Sequence, residues 1–315
     1  NPGLLIIAGY QGSRCRLSGV SRCGKCSRWS WSPGVRVASV HVRGLVGYGL
    51  AYVVLVELFS SGFHEPGHRA LTKGFLCGEI LRRVTGQTIG EFLQQEFAGP
   101  LGLDFFMGVP DDRIDDVATM IFPEQAEPPA DFFLSVEANP DGIQSKVFTN
   151  DGGHMEEFQT KAALKSEIPA AGGLATAKGL ASIYAPFACG GELNGNRFVD
   201  QDHLMRMSSV STACGLDKSL LVPMRFSEGF TKTMDNRRGK PGNQDSILMS
   251  EDAFGCPGFG GSIGLADPGA EMSFGYCMNN MGPGTALNPR GQSLLDETYQ
   301  SLGYRLDKFG RWCAV

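Results

Sequence analysis

Hydrophobic and polar positions follow a helical period from residue 72 onward. Across residues 72–84 the apolar side chains recur on one face, and Gly86 follows where a helix end favours a left-handed residue. The apolar positions of this stretch are Phe75, Leu76, Ile80, Leu81 and Val84. Thr88 and Glu91 then have the spacing of a capping box that opens a second helix through Phe97. The pattern predicts two consecutive helices.

The middle of the chain mixes a long polar stretch with shorter periodic ones. Residues 122–160 are rich in Pro, Asp, Glu and Gly, which predicts a long surface connection. Thr176 is a suitable N-cap for a helix that runs toward Cys189 with Pro186 inside it. Residues 202–207 predict another short helix.

The C-terminal third changes to the period of strands. Residues 262–267 and 272–278 predict two strands joined by an Asp-Pro-Gly turn at residues 267–269. Residues 292–302 predict a closing helix. Helices in the middle and a hairpin near the end favour the α+β class, an antiparallel sheet flanked by helices.

A composition break near residue 60 divides the chain. Residues 9–43 show neither helical nor strand periodicity. Residues 44–56 form the most apolar run, which is too short to span a bilayer and ends at Glu57, so we expect a buried strand or core helix. We therefore divide the chain into an atypical N-terminal segment, residues 1–60, and one domain, residues 61–315.

Charge and cysteine usage exclude some classes of function. The net charge of −5 offers no basic field for nucleic acid, and we expect no such partner. Nine scattered cysteines suggest free thiols in a soluble protein of a reducing, cytoplasmic compartment. Cys23 and Cys26 form a lone pair without a second pair at zinc-finger spacing, and His154 with Glu156 and Glu157 fits no zinc motif. We expect no metal, no cofactor and no membrane span, and the oligomeric state stays open.

Four stretches carry a resemblance that covers about residues 62 to 305. They are residues 70–86, 99–110, 167–180 and 254–268. In this order they resemble the serine hydrolases that include class C β-lactamases, penicillin-binding proteins and related esterases. The resemblance implies a serine β-lactamase/transpeptidase-like fold with its N-terminal portion missing or atypical. It also implies hydrolysis of a small-molecule ester or amide by acyl transfer, with the esterase branch nearest.

The catalytic side chains of that family are absent or replaced at the matching positions. The family uses Ser-x-x-Lys as nucleophile and base, yet no serine of this sequence has lysine three residues later. His68 stands at the position of the family's tyrosine, and Cys256 at that of its Lys or His. Either hydrolysis depends on a nucleophile outside this sequence, or the chain is an inactive homologue or a fragment that acts as a binding module.

Several side chains keep both a functional and a structural interpretation. Gly258, Gly260, Gly261 and Ser262 line the expected active-site strand and predict substrate binding, whereas a bend in the strand would need the same glycines. Cys256 is either a replacement nucleophile or a small buried apolar residue. His68 is either a general acid or base or a loop histidine, and Lys73 either faces the same cleft or is a solvated surface lysine. Residues 132–134 either line a substrate pocket or anchor a loop.

Overall fold

An antiparallel sheet forms the centre of the fold in a computed structural model of the chain. The structure describes the backbone of residues 7–11, and residues 67–68, 71–122, 128–148 and 155–315. The strands are β1 (Ile7–Gln11), β2 (Phe105–Met107), β3 (Gly173–Ala175), β4 (Glu192–Leu193), β5 (Asn196–Arg197), β6 (Thr212–Cys214), β7 (Met224–Phe226), β8 (Phe254–Pro257), β9 (Ile263–Asp267), β10 (Met272–Tyr276), β11 (Tyr304–Leu306) and β12 (Trp312–Ala314). The main sheet has the order β1-β10-β9-β8, and bridges at Thr231 connect β8 to β7.

Large and small side chains alternate along β9 and β10. Ile263 and Leu265 point into one buried cluster together with Phe274, which pairs with Leu265 in the antiparallel register. Gly264 and Gly275, also a pair in this register, lie on the opposite face. Since both faces are buried, the large face fills a core and the small face admits a closely packed helix.

Helices cover both faces of this sheet. They are α1 (Thr72–Thr85), α2 (Ile89–Leu93), α3 (Gly99–Leu101), α4 (Asp131–Ala138), α5 (Ile143–Phe148), α6 (Lys161–Lys165), α7 (Ala177–Ala188), α8 (Gln201–Ser208) and α9 (Pro289–Ser301). Helix α7 packs on the small face: a Cβ atom at Gly264 would lie 2.4 Å from Cε2 of Tyr184, and one at Gly275 would lie 2.5 Å from the Ala177 carbonyl oxygen. Glycine at these two positions is therefore a packing requirement.

Helix α9 covers the large face. Its Leu295 and Tyr299 are fully buried, and the Tyr299 ring stacks on Trp312 with centroids 5.5 Å apart. The Tyr299 hydroxyl donates to Oδ2 of the buried Asp267 at 2.7 Å. Burial raises the pKa of the Asp267 carboxyl, while its hydrogen bonds from Ser250 and Tyr299 oppose that shift. The end of β9 and the closing helix are thus joined by a polar network, and ring stacking on Trp312 adds β12 to this contact.

Most of the predicted elements are confirmed. Thr88 and Glu91 form both bonds of the capping box, and Gly86 ends α1 in the left-handed region with φ 78°. Thr176 caps α7 through the Gly179 N–H. The α+β class is confirmed by the sheet and the helices on its two faces. The hairpin expected at residues 262–278 forms as β9 and β10.

Two predictions differ from the structure. The surface connection expected over residues 122–160 is wrong, because α4, α5 and a 3-10 helix at Met155–Gln159 lie within it. The apolar face of α1 is not buried by the described residues: Phe75, Leu76 and Val84 are exposed by 51%, 44% and 45%. The contact side of α1 is instead Gly74, where a Cβ atom would lie 2.5 Å from the Ala170 nitrogen.

The described part of the chain has six free cysteines, of which Cys256 and Cys313 are exposed. No helix in the described ranges is long and apolar enough to cross a membrane. The expectations for residues 44–56 and for Cys23 and Cys26 lie outside the described residues, as does His154.

Candidate active site

Strand β8 ends in a tight turn that carries the predicted substrate-binding residues. The Gly261 N–H donates to the Gly258 carbonyl at 3.0 Å, and the Gly258 N–H donates to the Ser262 carbonyl at 2.7 Å. Phe259 and Gly260 are the central residues, and Gly260 has φ 86°. A positive φ at the third position of a four-residue turn is the geometry that glycine adopts at no steric cost. The sequence Gly258-Phe259-Gly260-Gly261 thus specifies its own turn.

The four predicted substrate-binding positions differ in what surrounds them. A Cβ atom at Gly260 would lie 2.6 Å from Cε of Met281, and one at Gly261 would lie 2.0 Å from Nδ2 of Asn288. At Gly258 the nearest atom would be 3.8 Å away, in Ser262. Packing behind the turn therefore accounts for Gly260 and Gly261, whereas a Cβ atom at Gly258 would make only ordinary van der Waals contact with the described residues. A substrate-binding role for these residues and for the half-buried Ser262 stays a prediction.

Cys256 is exposed, so the interpretation as a small buried apolar residue is wrong. The surrounding protein atoms nevertheless raise the pKa of its thiol, and the charge of Lys73 lowers it. The Tyr184 hydroxyl hydrogen-bonds to the Cys256 backbone, and burial raises the pKa of Tyr184 well above its usual range. Cys256 therefore lies at the exposed end of β8, and its backbone contacts Tyr184 of α7.

The segment at His68 is held by a buried carboxylate. The His68 backbone N–H donates to both oxygens of Asp217, at 2.9 and 3.1 Å, and the same carboxylate accepts the N–H groups of Ser219 and Leu220. Burial lowers the pKa of the His68 imidazole, Asp217 raises it and Lys73 lowers it further. The ring is consequently neutral at physiological pH, a state in which one nitrogen accepts a proton.

Lys73 connects His68 and Cys256 electrostatically. It lies in the first turn of α1, its side chain is exposed, and its charge acts on His68, Cys77 and Cys256. Among the described residues no carboxylate forms an ion pair with it. The structure therefore brings Lys73, His68 and Cys256 to one side of the molecule. Their roles in catalysis stay predictions.

Other candidate residues do not join this site. No group of three or more His, Cys, Asp and Glu residues in the described ranges is arranged to hold a metal ion. Glu157 is exposed on the 3-10 helix, and the side chain of Glu156 is outside the description. Phe133, by contrast, lies beside the turn after β8, because its ring centroid is 6.3 Å from that of Phe259.

Sequence reasoning missed two supports of the site. In the sequence, Tyr184 fits the apolar pattern of α7 and gives no sign of a polar role, although its hydroxyl contacts the backbone of β8. Lys232 is fully buried, and its ammonium donates to three backbone carbonyls beside β8. A lysine between two threonines gives no local signal of burial, since charged residues normally remain exposed.

A family model described as Beta-lactamase matches residues 64–297. The chain is 32% identical over 266 residues to the Esterase/beta-lactamase LipL of Mycobacterium tuberculosis. The aligned region is 78% of this chain and 58% of LipL. Among solved structures, a penicillin-binding protein homologue from Caulobacter crescentus is 31% identical with a TM-score of 0.58. The matched region is 75% of this chain and 59% of the Caulobacter crescentus chain.

The solved structure of a family VIII carboxylesterase is 27% identical with a TM-score of 0.61. The matched region is 76% of this chain and 59% of the carboxylesterase chain. The chain thus spans about three fifths of the length of these relatives. The predicted β-lactamase/transpeptidase-like fold is confirmed by the two structural likenesses.

Proposed function

Since this chain belongs to the β-lactamase family, we propose that it supplies the strand-and-turn wall of an active site that hydrolyses carboxylic esters. The nucleophile of this reaction is a serine outside the printed sequence, because no serine here has the Ser-x-x-Lys spacing of the family. The serine hydroxyl then attacks the ester carbonyl and the alcohol leaves, which forms an acyl-serine; water hydrolyses this acyl-serine, which releases the carboxylic acid and restores the serine.

The observation that carries the proposal is the open backbone at the end of β8. An added Cβ atom at Gly258 would have no described atom closer than 3.8 Å, and Gly258 lies two residues after the exposed Cys256. The N–H of the following residue, Phe259, has no acceptor among the described residues. A free backbone donor beside an open glycine is suited to hold the oxygen of an ester carbonyl as it gains negative charge.

Lys73 and His68 support the same proposal. An exposed cation near Cys256 stabilises developing negative charge in the cleft. A neutral imidazole on the same side is able to accept a proton, which is the task of the family's tyrosine at that position. Among the relatives, one structure is named a family VIII carboxylesterase, and LipL is named as both an esterase and a β-lactamase, so ester cleavage is the activity that these two names share.

The test compares two polypeptides, the printed chain and the longest product of its reading frame, each with p-nitrophenyl acetate and with nitrocefin. We expect the longer product to cleave the ester faster than nitrocefin and to be labelled by a fluorophosphonate probe at one serine. We expect the printed chain to show no labelling. A Cys256→Ser variant of the longer product is expected to keep its labelling, because the labelled nucleophile is the serine outside the printed sequence and not residue 256.

A second candidate is a non-catalytic homologue that binds acyl compounds. It is favoured by His68 and Cys256, which replace the family's catalytic side chains in the sequence. If neither polypeptide cleaves the ester or reacts with the probe, hydrolysis is refuted and the binding module is the better conclusion.

A further inference from the structure

We propose that Phe133 and Phe259 form an apolar subsite that receives the aryl or alkyl portion of the acyl group of an ester. The proposal rests on the proposed function, since it assigns the substrate class of that same cleft. The two rings meet edge to face, 6.3 Å apart at 67°. Phe259 follows directly after Gly258, so this surface is continuous with the open backbone at the end of β8.

Phe259 is fixed by the turn that carries it. Asn288 donates from Nδ2 to the Gly260 carbonyl at 2.8 Å, and its Oδ1 accepts the Gly291 N–H at the start of α9. Met281 fills the space behind Gly260. The back of the turn is therefore closed, and the position of the Phe259 ring is set before any ligand binds. A preformed wall of this kind lowers the entropy cost of binding.

Phe133 is fixed by the helix on the other side. Its neighbour Phe132 is buried and meets Phe148 edge to face at 4.5 Å, which joins α4 to α5. The first residue of α4, Asp131, pairs with Lys240 at 2.5 Å and with the Asn243 side chain at 2.9 Å. Both ends of the aromatic pair are thus anchored independently, by α4 and by the β8 turn.

The two rings remain partly accessible although they are anchored. Phe133 and Phe259 are half-buried, and neither belongs to the buried clusters of the described residues. Leu134, beside Phe133, is exposed by 45%. Ile121, whose carbonyl accepts the Met281 N–H, is exposed by 54%. The carboxylate nearest in sequence, Asp131, is already paired with Lys240. An apolar group without charge therefore fits this surface better than an acidic or basic one.

The test measures binding apart from hydrolysis. The probes are 4-phenyl-2-butanone, a ketone with an aryl group that cannot be hydrolysed, and acetone, which has the same carbonyl without the ring. Saturation-transfer NMR on the printed chain is expected to show binding of the aryl ketone at least about tenfold tighter than that of acetone. Phe133→Ala is expected to weaken aryl-ketone binding about tenfold, the scale of a lost aromatic contact surface.

Two variants guard against indirect effects. Phe133→Leu retains the apolar volume, so it folds even if the alanine variant does not, and we expect an intermediate loss. Phe309→Ala removes a ring that is 61% exposed near the C-terminal hairpin, and we expect no change in binding. Equal binding of the aryl ketone by the wild type and by both Phe133 variants, with unchanged melting, would overturn the subsite.

The outcomes separate the subsite from the proposed function. In the longest product of the reading frame, Phe133→Leu is expected to slow cleavage of p-nitrophenyl hexanoate more than that of p-nitrophenyl acetate. Equal slowing of both esters refutes the subsite and leaves ester hydrolysis standing. Binding that depends on Phe133 in a protein without hydrolysis refutes the proposed function and leaves the subsite standing.

Discussion

Replacement of the buried Lys232 by methionine is expected to change how the stability of the protein depends on pH. The Lys232 ammonium donates to the carbonyl oxygens of Ser208, Glu251 and Ala253 at 2.5, 2.6 and 2.6 Å. Ala253 directly precedes β8, so the lysine connects β8 to the end of α8. Burial lowers the pKa of Lys232 from 10.5 to about 8, opposed by Glu251, Asp252 and Asp267, whereas Arg225 lowers it further.

The sign of the effect follows from the direction of this shift. Between the folded pKa of about 8 and the unfolded value of 10.5, the unfolded chain binds the proton more tightly than the folded protein. Protonation therefore favours unfolding, and the free energy of unfolding rises with pH across this window. The full difference in pKa corresponds to ~3.4 kcal/mol. Of this, about 2 kcal/mol is gained from about pH 8 to about pH 10.

Urea denaturation of the wild type and of Lys232→Met over this pH range measures the difference directly. We expect the wild type to gain about 2 kcal/mol relative to the variant, which has no titrating group at this position. At neutral pH the variant is expected to be less stable by about 3 kcal/mol, since three buried carbonyls lose their donor. The Cys277 thiol, whose pKa burial raises to about 11, is common to both proteins and cancels in the difference.

The matched control is Lys161→Met, the same change at an exposed position of α6. We expect its pH profile to run parallel to that of the wild type, because an exposed ammonium is hydrated in both states. If the Lys232→Met profile is also parallel to the wild type, the reasoning about the buried ammonium is refuted.

Two further predictions concern packing and capping. Gly264→Ala is expected to destabilise the fold by about 2 kcal/mol, since the new methyl group overlaps the Tyr184 ring. Gly215→Ala, in open space, is expected to change the free energy of unfolding by less than ~1 kcal/mol, and equal losses in the two variants would contradict the packing argument. Thr88→Ala is expected to cost about 1 kcal/mol through loss of the capping box, whereas Thr88→Ser retains the hydroxyl and most of the stability. Thermal unfolding of all four variants tests the packing prediction and the capping prediction. If Thr88→Ser is as unstable as Thr88→Ala, the hydroxyl cap is not the source of the lost stability.

Elements that carry their own local signal were predictable from the sequence. The capping residues of α2 and α7 and the left-handed Gly86 need no distant partner, and the structure has each of them. The alternation in β9 and β10 also specifies which side chains share a face. The hairpin follows from this alternation and from the turn after Asp267.

Elements that depend on tertiary contacts were not predictable in the same way. Helices α4 and α5 lie in a stretch whose prolines and acidic residues indicate a loop, yet Phe132 and Phe148 join them through a buried edge-to-face contact. The burial of Lys232 depends on carbonyls from residues 19 to 24 positions away in the sequence. A single-sequence pattern contains neither contact, because both arise only when distant segments meet.

In the candidate site, too, some features follow from the local sequence and others depend on tertiary contacts, and here the difference is seen at single residues. In the sequence, Gly258, Gly260 and Gly261 form one glycine-rich motif, and the two interpretations, substrate binding or a bend in the strand, apply to all three alike. In the structure, Gly260 and Gly261 give room to Met281 and Asn288 behind the turn, and Gly258 alone of the three would accept a Cβ atom without a steric overlap among the described residues. Since Asn288 also caps α9, the geometry of the turn is coupled to the closing helix. The turn is therefore shaped from its buried side, so the proposed contact with a substrate falls on Gly258 and the adjacent Phe259.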